Sequence, residues 1–148
     1  MRAIYEVGIR SGDATFETEA PSWEEWDAVH SELRLVAERD AAILGFAALS
    51  PASPRSCYRG VGEVSVYVAG DARRSGVGRA LLEGLVERSE QAGYWTLTAG
   101  VFPENEASLR LHEVCGFREV GVRERLGESG GVWRDVVLLE RRSTLVGR

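Results

Sequence analysis

The chain predicts an α/β fold built on one sheet of mixed direction. Three observations carry this. Val64, Val66 and Val68 alternate with Glu63, Ser65 and Tyr67, the period of a half-buried strand. That run leads into Val77, Leu81, Leu82, Leu85 and Val86, a stripe at helical spacing. Two strand pairs with short turns flank this unit, 35–38 with 42–49 and 117–125 with 132–140. A length of 148 residues fits a single domain, residues 1–148, and 44% hydrophobic residues suffice for one core.

The elements follow in order. Residues 2–9 read as a short helix with Ile4, Tyr5 and Ile9 as its apolar positions, broken by Ser11-Gly12-Asp13. Ser22 is the expected N-cap of a second helix, and Glu25 stands three residues on, as in a capping box. This helix is expected to run to about Leu33. A hairpin then turns at Arg39-Asp40, and the proline-containing stretch from Pro51 to Gly60 reads as a surface loop. After the valine strand, a helix spans about Gly76 to Ala92, with Gly93 as its C-cap. Thr96 to Val101 is a strand. Pro103-Glu104-Asn105 opens a helix that Gly116 stops after Cys115. The last two strands turn at Gly127 to Gly131, and the tail after Arg142 is expected to fray.

Composition narrows the function. A net charge of −5 argues against a general nucleic-acid binder. No apolar run reaches the length of about 18 residues that a membrane helix needs. No basic-then-apolar N-terminal segment marks a secretory leader, so a cytoplasmic protein is expected. Cys57 and Cys115 lack metal-ligand spacing, and His30 and His112 are the only histidines, so no metal site is expected.

The chemistry concentrates after the valine strand. Arg73-Arg74-Ser75-Gly76-Val77-Gly78-Arg79 places two glycines and three arginines at a helix start. There, backbone N–H groups and the helix dipole favour an anion such as a phosphate. No Gly-Lys-Ser/Thr closes the loop as in a P-loop, and no third glycine completes a dinucleotide fingerprint. The plainer reading is an exposed basic turn. Glu63 is either an exposed-face residue or a positioned base whose proton affinity burial would raise. Asn105 suits an N-cap, and Asn105, Ser108 and His112 share one helical face. Phe16, Trp23, Trp26, Tyr58 and Trp133 are core or rim residues, some of them candidates for a pocket wall.

Taken together, several segments resemble the phosphinothricin N-acetyltransferases and their relatives that act on methionine sulfoximine and sulfone, within the GNAT superfamily. The segments are Gly12 to Thr18, Glu63 to Val68, Arg74 to Arg79, Phe102 to Ser108, Leu111 to Phe117 and Gly131 to Asp135. The resemblance implies the GNAT fold, a central mixed, mostly antiparallel sheet flanked by helices. It implies acetyl-CoA as cosubstrate, no metal, a small amino-acid analogue as acceptor and a homodimer. By resemblance, the strand segment Val66, Tyr67 and Val68 holds the pantetheine arm through its backbone. Arg73 to Arg79 holds the pyrophosphate, and Asn105 and Ser108 contact the cofactor. Glu63 matches the base. His112 occupies a position where many relatives carry a tyrosine acid. Phe16, Thr18, Ser56, Cys57, Tyr58, Val132 and Trp133 fall in acceptor-site segments. Family members open with a strand ahead of the first helix, whereas this chain starts inside that helix. The sheet is therefore expected to lack its first strand, with Leu35–Glu38 at an open edge. The rival readings are a non-catalytic acetyl-CoA-binding module and an N-acetyltransferase for proteins or peptides.

Overall fold

The structure, a computed structural model, describes residues 1–148. In chain order it has α1 (Arg2–Ser11), α2 (Trp23–Val29), β1 (Leu33–Arg39), β2 (Ala42–Pro51), β3 (Val61–Val68), α3 (Val77–Gln91), β4 (Thr96–Val101), α4 (Glu106–Val114), β5 (Arg118–Ser129) and β6 (Val132–Arg142). The strands form one sheet in the order β1-β2-β3-β4-β6-β5. Every neighbouring pair is antiparallel except β3 with β4, which is parallel. The mixed, mostly antiparallel sheet flanked by helices is thus the observed architecture, and β1 stands at its edge with β2 as its single partner.

The apolar stripe of α3 packs on one sheet face. Leu81, Leu82 and Leu85 are buried against Leu49, Val64, Leu97, Val137 and Leu139. On the other face the Tyr5 ring of α1 lies 4.9 Å from Tyr67, and Trp26 of α2 meets Phe46 edge-on at 5.9 Å. The alternation read from β3 holds: Val64 enters the core while Tyr67 faces α1. Burying the stripe removes its apolar surface from water and so stabilises the fold. Leu82 and Leu85 are fully buried, and cutting either to alanine costs about 2–5 kcal/mol.

Some boundaries differ from expectation. The capping box at Ser22 and Glu25 is present, but α2 stops at Val29, because Leu33 is recruited into β1 opposite Leu49. The first hairpin turns on Asp40 and Ala41, with φ of 51° and 62°, and Arg39 pairs with Ala42. Positive φ at both central residues is what a two-residue hairpin turn demands. The second hairpin turns on Gly130 and Gly131 alone, since Gly127 is still paired with Arg134. The tail after Arg142 is tied down rather than frayed. The Arg142 guanidinium donates to the carbonyls of Trp95, Ser143, Val146 and Gly147.

Candidate active site

The sheet opens at its centre. β3 and β4 pair only from Val61–Glu63 to Thr96–Thr98, although β3 continues to Val68 and β4 to Val101. On the other side β3 stays zipped to β2, and Ala69 N–H donates to Leu44 O at 2.8 Å. Peptide groups alternate direction along a strand. Those of Val66 and Val68 therefore point away from β2, into the gap beside β4.

The basic turn lies just past the end of β3. Arg74 adopts φ 61° and Gly76 φ 84°, and this left-handed turn launches α3 at Val77. Gly76 is the N-cap and has no side chain to offer, so the first-turn N–H groups of α3 keep their donors free. Ser75 closes the turn by donating from its hydroxyl to Ala72 O. Arg79 is drawn off along the helix by Glu83 at 2.8 Å, leaving Arg73 and Arg74 as the unpaired cations of the turn. Gly78 serves packing: a Cβ there would sit 3.3 Å from Leu111 and 3.4 Å from Val68.

A cavity of about 1140 Å³ lies along the gap. It brings together Phe16, Glu63, Val66, Tyr67, Asn105, Ser108 and His112 from the sequence candidates. It does not reach Thr18, Ser56, Cys57, Tyr58, Val132 or Trp133. Trp133 and Val132 stand exposed at the tip of the second hairpin. Glu63 is exposed, so the burial suggested for it is absent. Burial and the neighbouring Tyr5 keep the Tyr67 phenol protonated well above its ordinary range.

His112 is buried, with its ring edge-on to Phe117 at 5.1 Å. Its Nδ1 lies 2.7 Å from Ser108 O. A carbonyl only accepts, so Nδ1 carries the proton and the Nε2 lone pair is free. Nε2 has no partner within the chain, and no fully buried side-chain nitrogen or oxygen lacks one, so Nε2 opens on the cavity. Burial pushes the His112 pKa below its ordinary 6.5, and the bond to Ser108 only partly offsets this. The unfolded chain therefore takes up the proton first as pH falls. Stability from this group is complete above pH 6.5 and drains away below it. Denaturation midpoints should fall from pH 6.5 downward in the wild type and fall less in His112→Asn.

Sequence reading named Phe16 and Asn105 but missed Arg134, which fastens the cavity wall. Arg134 of β6 lies with its guanidinium 3.8 Å from the Phe102 ring centroid. It donates to Asp13 Oδ1 at 2.8 Å, to Glu104 Oε2 at 3.1 Å and to Gly12 O. Asn105 accepts from Ser108 N–H at 3.2 Å and donates from Nδ2 to Asp13 O at 3.1 Å. Phe16 packs edge-on against Phe102 at 4.7 Å and sits over Gly127, where a Cβ would come within 2.8 Å of the ring. The segment between α1 and α2 is thereby fastened to the start of α4 and to the β5–β6 ribbon. Trp26, His30, Val136 and Leu138 complete the lining. The Trp-Arg-Asp string was the one visible signal: within it Arg134 and Asp135 make hydrogen bonds inside the chain, while Trp133 is exposed.

Comparison with known proteins agrees with this geometry. Residues 3–117 match the family described as Acetyltransferase (GNAT) family. The chain is 42% identical to the phosphinothricin N-acetyltransferase of Alcaligenes faecalis, over 95% of this chain and 75% of that protein. Two crystal structures superpose closely. One is a GNAT superfamily phosphinothricin acetyltransferase from Sinorhizobium meliloti in complex with AcCoA, at TM-score 0.86 and 30% identity, covering 95% of this chain and 80% of that one. The other is a ribosomal-protein-alanine N-acetyltransferase from Brucella melitensis, at TM-score 0.87 and 32% identity, covering 95% and 91%. With its split sheet, its basic turn at the head of α3 and this match over most of its length, the chain belongs to the GNAT family of acetyltransferases.

Proposed function

We propose that this acetyltransferase moves the acetyl group of acetyl-CoA to the α-amine of a small amino-acid analogue of the phosphinothricin or methionine sulfoximine/sulfone type. One observation carries the reading: the unpaired β3 edge links the basic turn to a cavity walled by a fastened loop. The residues fit the cosubstrate. Free N–H groups of α3, with Arg73 and Arg74, suit its diphosphate. The outward peptide groups of Val66 and Val68 suit the amides of its pantetheine arm, as an added strand would. When bound, acetyl-CoA supplies an acyl group activated as a thioester.

The protein's part is to gather and deprotonate the amine. Glu17, Glu19, Glu25 and Glu63 line the cavity and favour a cationic acceptor. Glu63 takes the ammonium proton, directly or through one water. His112 enters uncharged, able to accept a proton at Nε2 rather than to supply one. The amine then attacks directly, with no covalent enzyme intermediate; the carbon–sulfur bond breaks, and the further proton lost by the nitrogen goes to the departing thiolate. The same reading includes a cytoplasmic homodimer. Val120, Val122, Val132 and Trp133 are exposed on the β5–β6 ribbon and suit a second copy. Light scattering should give twice 16.2 kDa.

The Brucella relative supports a second reading, acetylation of a protein N-terminus. A thiol-release assay with acetyl-CoA separates the two. Turnover is expected with phosphinothricin, methionine sulfoximine and methionine sulfone. Turnover confined to an alanine-initiated peptide would reverse the assignment.

A further inference from the structure

We infer that Arg123 receives an acidic group at the far end of the acceptor, so the enzyme prefers amino acids whose side chain ends in an acid. This rests on the reading above and narrows it. The chain has no lysine, and Arg123 is the single arginine lining the cavity. Against the four glutamates it is therefore the one fixed positive charge there. Arg2, Arg34, Arg79, Arg118, Arg134 and Arg141 are committed to carboxylates within the chain. The Arg123 side chain has no such partner and is exposed to the cavity.

Its aim is built into the backbone. Arg123 pairs with Val136, which also lines the cavity, as does Leu138 two residues further on the same face. The register then slips: Gly127 pairs with Arg134, so residues 124–126 face Asp135 alone. Within this bulge Arg125 has φ 46°, and its N–H donates to Asp135 Oδ1 at 2.7 Å. Bulges beside active sites re-aim side chains, and this one delivers Leu126 into the cavity next to Arg123.

Register also fixes how far it stands from Glu63. Glu63 pairs with Thr98, Thr98 with Glu140, and Arg123 lies opposite Val136, four positions along β6. That places Arg123 roughly 14 Å across the sheet and roughly 13 Å along it from Glu63. Their backbone positions are thus roughly 19 Å apart, so Arg123 meets the acidic group of the acceptor that lies farthest from the amine. The matching chemistry is a terminal carboxylate or phosphinate, which a guanidinium grips with two hydrogen bonds.

The test compares kcat/KM for acid-ended acceptors, phosphinothricin and glutamate, with neutral ones, methionine sulfone and glutamine. Wild type, Arg123→Leu and Arg123→Lys are used, with circular dichroism as the check on folding. Arg123→Leu should shift the acidic-to-neutral ratio by roughly tenfold or more, mainly through KM, the scale of a charge-assisted hydrogen bond. Arg123→Lys should recover part of it. A shift with phosphinothricin alone assigns a phosphinate site; a shift with both acids assigns any terminal acid. An unchanged ratio overturns this inference while leaving the amino-acid reading in place. Failure of the wild type on all four acceptors overturns both.

Discussion

Glu63→Gln is expected to lower kcat by roughly 100-fold or more while leaving acetyl-CoA affinity unchanged. The substitution keeps size and hydrogen bonding but removes the proton acceptor, and positioned general bases contribute on that scale. Glu63 lines the cavity at the last rung where β3 and β4 still pair, so a neutral amide there has no packing to disturb. The pH profile sharpens the result. If Glu63 only helps bulk water deprotonate the amine, the variant recovers at high pH. If it holds the amine in line as well, the deficit persists. Wild-type rates at every pH would make Glu63 structural.

The second large effect is expected at Arg134. Arg134→Met keeps apolar contact with Phe102 but drops three hydrogen-bonded attachments, to Gly12, Asp13 and Glu104. Asp13 and Glu104 are themselves largely exposed, so the ion pairs add little and the stability cost should be only about 1–2 kcal/mol. The catalytic cost should be much larger. Phe16 and Asn105 depend on the same knot, and a displacement of about 1 Å at a reacting site can cost roughly 100-fold. A loss in kcat/KM many times larger than the shift in denaturation midpoint identifies Arg134 as a positioning residue. Equal losses would reduce it to a structural one.

Much of this was legible in the sequence. Alternation in Glu63–Val68 and the α3 stripe are local signals, and both gave the faces that the structure adopts. The basic turn was equally plain, since a left-handed residue before a helix calls for glycine and Gly76 supplies it. What could not be read was long-range. Arg134 finds Asp13 across 121 residues, and Asn105 finds Asp13 across 92. Trp133, an acceptor-site candidate by resemblance, pairs with Glu128 near the end of the hairpin and stands exposed, a position set by strand register rather than by residue type. Arg123 gave no signal at all, because its place on the cavity comes from pairing with Val136 of another strand, and a lone arginine in a polar strand reads as a solvated face.

The short seam between β3 and β4 has a consequence for the life of the molecule. Six strands are in effect two three-stranded leaves, β1-β2-β3 and β4-β6-β5, hinged on three residue pairs. A ligand lying in the seam supplies the missing rungs, so loading and folding become one linked equilibrium. Ligand at a hundred times its dissociation constant adds about 2.7 kcal/mol of stability. A ligand held there is then also a brace, and the resistance of this protein to proteolysis becomes a gauge of how much of it is bound.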